Sequence, residues 1–499
     1  MLNLDAAVRY HAGQQPDRIA MVYEGSRISY GALAARVEAL AGMLHARGVG
    51  RGTIVALLMK NSSSFIELAV AISRVGAVLL PINYRLALDE VNYILNHAGA
   101  SLLFADEEFA SLSAGFANTV LLDDAAQRDS GKLVPKGTAA APALDPPATP
   151  DDLLRLMYTS GTTDRPKGVT HTYGNYYWKC LDHILALQLT GNDLLLVCGP
   201  LYHVGAFDLP GLALFMVGGM LVVLREFDPD QALQAIATER LTGAWMAPVM
   251  FGRLLTCEAR KKLNLDSLMW MIGGGERTPE ERIRQFSSLF PRGRYIDAYG
   301  LTESCSGDTM MRPGWEIKKI GSTGPALAHV QMRICDDQGN TLPAGTNGEV
   351  CLRGPKITKG YWKDPGRTKA AFHGDWFRTG DVGNMDEDGF LYLTDRKKDM
   401  IISGAENIAS SEVERVLYAL PQVAEAAVIG LPDEKWGERV VAVVVLKPGT
   451  SLTKEELDQH CKPLLAGFKS PRQLVIRDNL PRNPSGKILK RVLRDELAG

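Results

Sequence analysis

The sequence predicts an α/β protein: a large N-terminal domain of mostly parallel sheets flanked by helices, followed by a small α+β C-terminal domain. Length is the first observation behind this, because 499 residues exceed the ~250–300 over which a single core stops growing. Pattern is the second. Through most of the chain, apolar runs of strand length alternate with helical periodicity, as βαβ units around a parallel sheet require. The third is a change of pattern past about Asp395, where a compact unit of about 100 residues takes over. The expected domains are therefore 1–395 and 396–499.

Taken in order, the apolar residues Leu33, Val37, Leu40 and Leu44 recur at helical spacing from Ser29 onward. A strand-like run over Thr53 to Met59 follows, then a helical pattern around Phe65 to Ile72 and another apolar run from Ala77 to Ile82. Lys132 to Asp152 is rich in Pro, Ala and Gly and too poor in large apolar residues to pack, so it reads as a surface linker. Leu153 to Met157 is strand-like, and the alternation resumes with Leu194 to Val197, Met220 to Leu224 and Trp270 to Ile272. Leu209 to Leu224 is uncharged and apolar but interrupted by Pro210, Gly211, Gly218 and Gly219. Falling short of the ~20 residues of a membrane helix, it reads as a buried helix, turn and strand. Toward the C-terminus, the capping boxes Ser411-x-x-Glu414 and Thr453-x-x-Glu456 each open a helix. Strands are expected near Val423 to Ile429, Val440 to Leu446 and Gln473 to Ile476.

Composition removes several classes of function. Hydrophobic residues at 46% and charged residues at 22% exclude whole-chain disorder. With 55 Lys plus Arg against 57 Asp plus Glu, the chain lacks the basic footprint of a nucleic-acid binder. Seven dispersed cysteines without C-x-x-C spacing disfavour a disulfide framework or a structural zinc site. The first residues carry Asp5, Arg9, Asp17 and Arg18 and no apolar signal-peptide core, so a cytoplasmic location is expected.

The chemistry concentrates first in Tyr158-Thr-Ser-Gly-Thr-Thr-Asp-Arg-Pro-Lys-Gly168. Hydroxyls, free backbone N–H groups around Gly161 and the cation of Lys167 make a nest for polyphosphate. It is not a Walker A loop, which would need Gly at 166 and Ser or Thr at 168, where Pro166 and Gly168 stand. No Ser lies in a G-x-S-x-G elbow, which argues against a serine hydrolase.

Six further motifs follow in order: PLYHVGAF (200–207), GGGERTPE (273–280), YGLTE (299–303), WFRTGD (376–381), DRKKDMIISGAEN (395–407) and PRNPSGKILK (481–490). With these seven in sequence the chain resembles, along essentially its full length, the adenylate-forming superfamily of acyl-CoA synthetases, peptide-synthetase adenylation domains and beetle luciferases. Bacterial fatty-acyl- and aryl-CoA ligases are the nearest likeness. The resemblance implies an ATP-dependent acid–thiol ligase that makes an acyl-adenylate and then an acyl-CoA, with ATP, Mg²⁺ and coenzyme A as co-substrates and a C-terminal domain that is mobile.

The same resemblance implies roles for individual residues. Thr159, Ser160, Gly161, Thr162, Thr163 and Lys167 would hold the phosphates, and Glu303 the Mg²⁺, with Thr159 a second metal ligand. Tyr299, with Gly300 and Thr302 beside it, would stack on adenine, and Gly275, Glu276 and Arg277 would pass along its other side, a core tyrosine being the bland alternative for Tyr299. Asp381 has the acceptor chemistry to take both ribose hydroxyls and Arg396 offers donors to the same sugar. Lys398 matches the hinge and Lys487 the catalytic lysine that offsets charge at the α-phosphate. His203 lines the acyl pocket, with Tyr202 and Trp245 as walls or as ordinary core aromatics. Gly404, Trp436 and Lys469 belong to the CoA side.

Two positions depart from the family pattern. Asp164 stands where Gly is usual and adds a negative charge near that of ATP, and Ala405 replaces the second Gly of S-G-G-E-N where a pantetheine arm would pass. No carrier module follows Lys487, so the thiol is expected to arrive from outside, as free CoA or, in the alternative reading, on a separate carrier protein. A catalytically silent nucleotide-binding homologue is the reading from another class, against which Glu303, Asp381, Arg396 and Lys487 all stand present. A small-molecule carboxylic acid is the expected partner, a homodimer is compatible, and neither nucleic acid nor an integral membrane segment is expected.

Overall fold

The structure, a computed structural model, describes residues 3–159, 165–274, 278, 280–396, 399–403, 406–433, 436–482 and 488–498, with backbone only at 395–396 and 406–407. Its contacts divide the chain into two compact units, Met1–Gln331 with Arg353–Phe377, and Met332–Leu352 with Arg378–Gly499.

The first unit is built on two sheets. One has six strands in the order Thr119–Leu122, Leu102–Asp106, Ile54–Leu58, Val78–Pro81, Leu153–Thr159 and Lys167–Thr172. Its first four neighbour pairings are parallel and the last is antiparallel. The other has eight strands, of which Arg294–Tyr299, Trp270–Gly273, Gly243–Met246, Leu194–Val197, Met220–Val223 and Ile19–Tyr23 run parallel in that order. Strands such as Ile54–Leu58 and Val78–Pro81 are buried at every residue, which is why they read as continuous apolar runs without alternation.

Helices cover the sheets where the sequence placed them. Ser29 caps Tyr30–Ala46 through its hydroxyl, and Ser62 caps Ser63–Arg74. The Leu209 to Leu224 segment resolves into the helix Leu214–Val217, a left-handed Gly218 and the strand Met220–Val223. No helix among the described residues is long and apolar enough to cross a membrane. The linker lies on the surface: Ala139 packs so closely on Gly42 that a Cβ there would collide with its carbonyl, and Arg51 ties Asp152 at 2.6 Å.

In the second unit, Val423–Asp433 and Gly437–Leu446 pair antiparallel, and Gln473–Ile476 adds in parallel. The Thr453 box forms as expected, with Thr453 and Glu456 each satisfying the other's backbone N–H. The Ser411 box does not form. The helix there starts at Ser410 after Ala409, the Ser411 hydroxyl donates to the Thr394 carbonyl, and Glu414 accepts from the Val428 N–H at 2.8 Å. Tertiary partners outbid the local cap. The division by contacts differs from the expected one at 395/396, because residues 332–352 and 378–395 group with the second unit.

Candidate active site

The antiparallel hairpin of Leu153–Thr159 and Lys167–Thr172 sets Thr159 directly across from Lys167. The loop that joins them is the expected phosphate nest, and Ser160, Gly161, Thr162, Thr163 and Asp164 within it lie outside the described residues. Lys167 Nζ donates to Glu303 Oε1 at 2.7 Å and to the Tyr361 hydroxyl at 2.8 Å, and Tyr361 in turn donates to the same Oε1 at 2.9 Å. Among the described residues both contacts fall on Oε1 and none on Oε2. Glu303 is 7% exposed. Burial, with the Glu303 charge as second cause, pushes the Tyr361 phenol well above its ordinary range, so it stays a donor at any working pH. Thr159 Oγ1 is buried without a hydrogen-bond partner among the described residues.

These groups suit a magnesium ion shared with phosphates. Mg²⁺ takes one or two protein oxygens plus substrate phosphates rather than a full protein cage. No three His, Cys, Asp or Glu converge among the described residues. Instead a single enclosed carboxylate and an orphaned hydroxyl flank the hairpin mouth.

Glu303 sits on a strained turn. Tyr299, 8% exposed, ends its strand, and Gly300 lets the chain fold so tightly that a Cβ would collide with the Gly307 nitrogen. Cys305, Ser306 and Gly307 then run consecutively left-handed, with φ of 55°, 66° and 65°, a conformation that costs about 1–3 kcal/mol for each non-glycine residue. Lys356, fully buried, holds it by donating to the Ser306 carbonyl at 2.8 Å and to the Gly307 carbonyl, while pairing with Asp308 at 3.1 Å. Burial pushes the Cys305 thiol up to about 12, which removes it as a nucleophile.

A second buried network reaches Glu303 from behind. Arg155 forks onto Asp208, at 2.9 Å through one nitrogen, and donates Nε to His171 Nδ1 at 2.8 Å. His171 Nε2 lies 2.6 Å from the Thr302 carbonyl. Burial, then the Arg155 charge, holds the His171 imidazole well below its ordinary pKa. Neutral, it accepts at Nδ1 and donates at Nε2. Lys179 approaches Asp208 at 3.6 Å. The chain from Asp208 to Thr302 thus ties the short helix Val204–Asp208 to the Glu303 turn.

That helix is capped by His203, whose Nδ1 accepts from the Gly205 N–H at 3.1 Å. Burial lowers its pKa to about 4, against the opposing charge of Asp208, so His203 is neutral with its proton on Nε2. Its ring lies near-parallel to Trp245, centroids 6.4 Å apart, and Tyr202 meets Tyr84 edge-on at 5.3 Å.

In the second unit, Asp381 and Arg396 are register partners on Trp376–Met385 and Leu391–Arg396, so the two residues expected at the ribose stand opposite one another. Trp436 carries Arg472 on its face at 4.6 Å, and Lys469 donates to both oxygens of Glu412 at 2.8 Å. The expected positions Gly275, Glu276, Arg277, Lys398, Gly404, Ala405 and Lys487 lie outside the described residues, as does the Arg396 side chain. Sequence reasoning missed Tyr361, Lys356 and the Arg155–Asp208 pair. One signal was legible: an arginine in the middle of the apolar run Leu153 to Met157 needs a buried partner.

The chain is similar to known proteins along nearly its whole length. Residues 8–362 match the AMP-binding enzyme family and residues 412–487 the AMP-binding enzyme C-terminal domain. A feruloyl-CoA synthase from Amycolatopsis is 36% identical over 97% of this chain and 96% of its own. An indoleacetate–CoA ligase from Aromatoleum aromaticum is 34% identical over 100% and 98%. Among solved structures, o-succinylbenzoate CoA synthetase from Bacillus subtilis in complex with its acyl-adenylate intermediate superposes with a TM-score of 0.87 at 30% identity, covering 98% of each chain. ATP-bound MatB from Rhodopseudomonas palustris gives 0.91 at 31% identity, covering 100% and 99%.

Proposed function

The chain belongs to the AMP-binding enzyme family, and from that premise we propose the reaction and the residue roles that follow. It is an ATP-dependent, AMP-forming acid–CoA ligase. A carboxylate attacks the α-phosphate of ATP and pyrophosphate leaves; the CoA thiolate then attacks the acyl carbonyl of the adenylate and AMP departs. The observation that carries this reading is the Glu303 carboxylate, enclosed at the hairpin mouth with Lys167 and Tyr361 on one oxygen and the orphaned Thr159 hydroxyl on the opposite strand.

Magnesium would be held by Glu303, with Thr159 as second protein ligand, and would neutralise the polyphosphate charge. Lys167 would turn from Glu303 to the phosphates, joined by donors from Ser160 to Thr163. Tyr299 would stack on adenine against the 275–277 turn, and Asp381 and Arg396 would take the ribose. His203, a neutral Nε2–H donor, orients the acid's carboxylate without removing a proton from it. Lys487 would steady the α-phosphate in the transition state, and rotation about Lys398 would exchange it for the Gly404, Trp436 and Lys469 side at thioester formation. Lys469 must then trade Glu412 for a CoA phosphate. With ATP and CoA as co-substrates, the cytoplasm is the proposed place of work.

Pyrophosphate release across aliphatic, aryl and alicyclic acids, with and without CoA, tests the reading. Acyl-CoA and AMP are expected only when CoA is present. Turnover that stops at acyl-AMP with CoA supplied favours loading of a carrier protein. Lys487→Ala should abolish ATP–pyrophosphate exchange yet still form thioester from supplied acyl-adenylate; full exchange would refute the role of Lys487.

A further inference from the structure

Asn61 is buried, 3% exposed, in the short stretch between the strand Ile54–Leu58 and the helix that Ser62 caps. Its Nδ2 donates to the Gly199 carbonyl at 2.7 Å and to the Leu224 carbonyl at 3.0 Å, and its Oδ1 accepts from the Leu201 N–H at 2.8 Å. Two carbonyls require the amide nitrogen and an N–H requires the oxygen, so the side chain has a single orientation. Asn61 follows a strand of the six-stranded sheet, whereas Gly199 and Leu224 follow Leu194–Val197 and Met220–Val223 of the eight-stranded one. The contact therefore lies at the carboxyl ends of strands, where open α/β sheets place their ligands. A second tie joins the sheets beside it. Asp106, at the end of its strand, accepts from the Lys60 N–H at 2.9 Å and from Arg225 at 3.0 Å.

The bonds to Gly199 and Leu201 fall on either side of Pro200, whose carbonyl accepts from the His203 N–H at 3.0 Å. From that turn the chain enters the helix Val204–Asp208. The other face of the segment lies on Trp245: a Cβ on Gly199 would fall 2.4 Å from the indole and one on Gly205 2.3 Å. Residues 199–205 are thus held between an amide and an indole, with His203 among them. A fully satisfied polar contact of this kind fixes where a backbone stands, which apolar packing does less sharply.

Resting on the ligase reading, we infer that Asn61 is a positioning residue for the acid: it fixes the Gly199–Leu201 backbone so that the turn closed by Pro200 presents His203 to the substrate carboxylate. Asn61 acts through that backbone and touches no substrate. Because the Arg225–Asp106 pair still joins the sheets when Asn61 is replaced, the loss falls on the placement of the segment rather than on the fold.

The test is ATP–pyrophosphate exchange with the best acid of an aliphatic, aryl and alicyclic panel, titrated in acid and in ATP separately. Asn61→Leu keeps the volume and removes the hydrogen bonds. KM for the acid should rise about ten- to hundredfold while KM for ATP stays within about threefold. In the His203→Ala background the same substitution should change acid affinity less than about threefold, because a residue that acts through His203 has nothing left to position. Calorimetric binding of the acid reads this where turnover is lost. Asn61→Ser leaves room for water to meet the backbone groups and serves where leucine prevents folding; it should raise KM for the acid at least about fivefold. An unchanged KM for the acid, a KM for ATP that rises as much, an equal loss in both backgrounds, or failure of both variants to fold overturns the inference and leaves the ligase reading standing. Exchange with none of the acids in the wild type overturns the ligase reading and this inference with it.

Discussion

Replacing Tyr361 with Phe isolates the grip on Glu303. The substitution deletes one hydroxyl, which donates to Glu303 Oε1 at 2.9 Å and accepts from Lys167 at 2.8 Å, and leaves the ring on which Lys167 rests at 4.3 Å. The direct Lys167–Glu303 bond at 2.7 Å survives, so the carboxylate is not stranded. What is lost is a charge-assisted hydrogen bond in an enclosed site, about 1.5–3 kcal/mol. If Tyr361 keeps Oε1 oriented while Oε2 turns to the metal, that loss falls on MgATP binding and weakens it about ten- to hundredfold. ATP–pyrophosphate exchange at several free Mg²⁺ concentrations, with calorimetric binding of MgATP to separate affinity from turnover, measures it. The KM for ATP should rise and respond more steeply to Mg²⁺, with the KM for the acid little changed. ATP affinity within about threefold of wild type at every Mg²⁺ concentration would refute the reasoning.

Lys356→Met should destabilise the first unit by about 3–5 kcal/mol, because Asp308 is left as an uncompensated buried charge and the left-handed Cys305–Gly307 turn loses its clamp. Scanning calorimetry should show a lower melting temperature, partly restored in Lys356→Met/Asp308→Asn. Asp208→Asn strands Arg155 and Lys179 in the interior and should cost a similar amount, with kcat falling as well because the helix that bears His203 is unmoored; a melting temperature unchanged from wild type contradicts this. His183 is held neutral, its pKa well lowered by burial and then by Lys179 and Lys356. A histidine with a depressed folded pKa is protonated first in the unfolded chain, so stability falls as pH drops through about 6.5. Between pH 7 and 5.5 the wild type should lose more stability than His183→Phe, as read from urea unfolding at each pH.

The sequence was most legible where the deciding interaction is local. Strand Gln473–Ile476 and strand Leu194–Val197 fall where their apolar runs lie, and the Thr453 box closes within four residues. The Ser411 box has the same local signature and fails, since its two side chains are claimed by Thr394 and Val428, elements that no short window contains. The site divides the same way. The motifs named Thr159, Lys167, Glu303 and His203, but Tyr361 bonds Lys167 across 194 positions of sequence and Lys356 reaches Ser306 across 50. Nothing near either residue marks it.

The buried charges explain why the Glu303 turn can be both strained and rigid. Arg155, Lys179 and Lys356 face Asp208 and Asp308, all fully buried, and burying such ions in pairs gains little net stability over apolar packing. What pairs do supply is direction. Each cation is bound to a carbonyl, a ring nitrogen or a carboxylate whose position fixes one end of a functional segment: Lys356 on the residues that follow Glu303, and Arg155 on the helix after His203 and, through His171, on the carbonyl that precedes Glu303. An apolar core would hold these segments together without fixing the angle of either. The carboxylate proposed for the metal and the imidazole proposed for the acid are therefore both steadied by these buried pairs, and a substitution that breaks the Arg155–Asp208 pair should move both KM for ATP and KM for the acid, whereas Tyr361→Phe should move only the first.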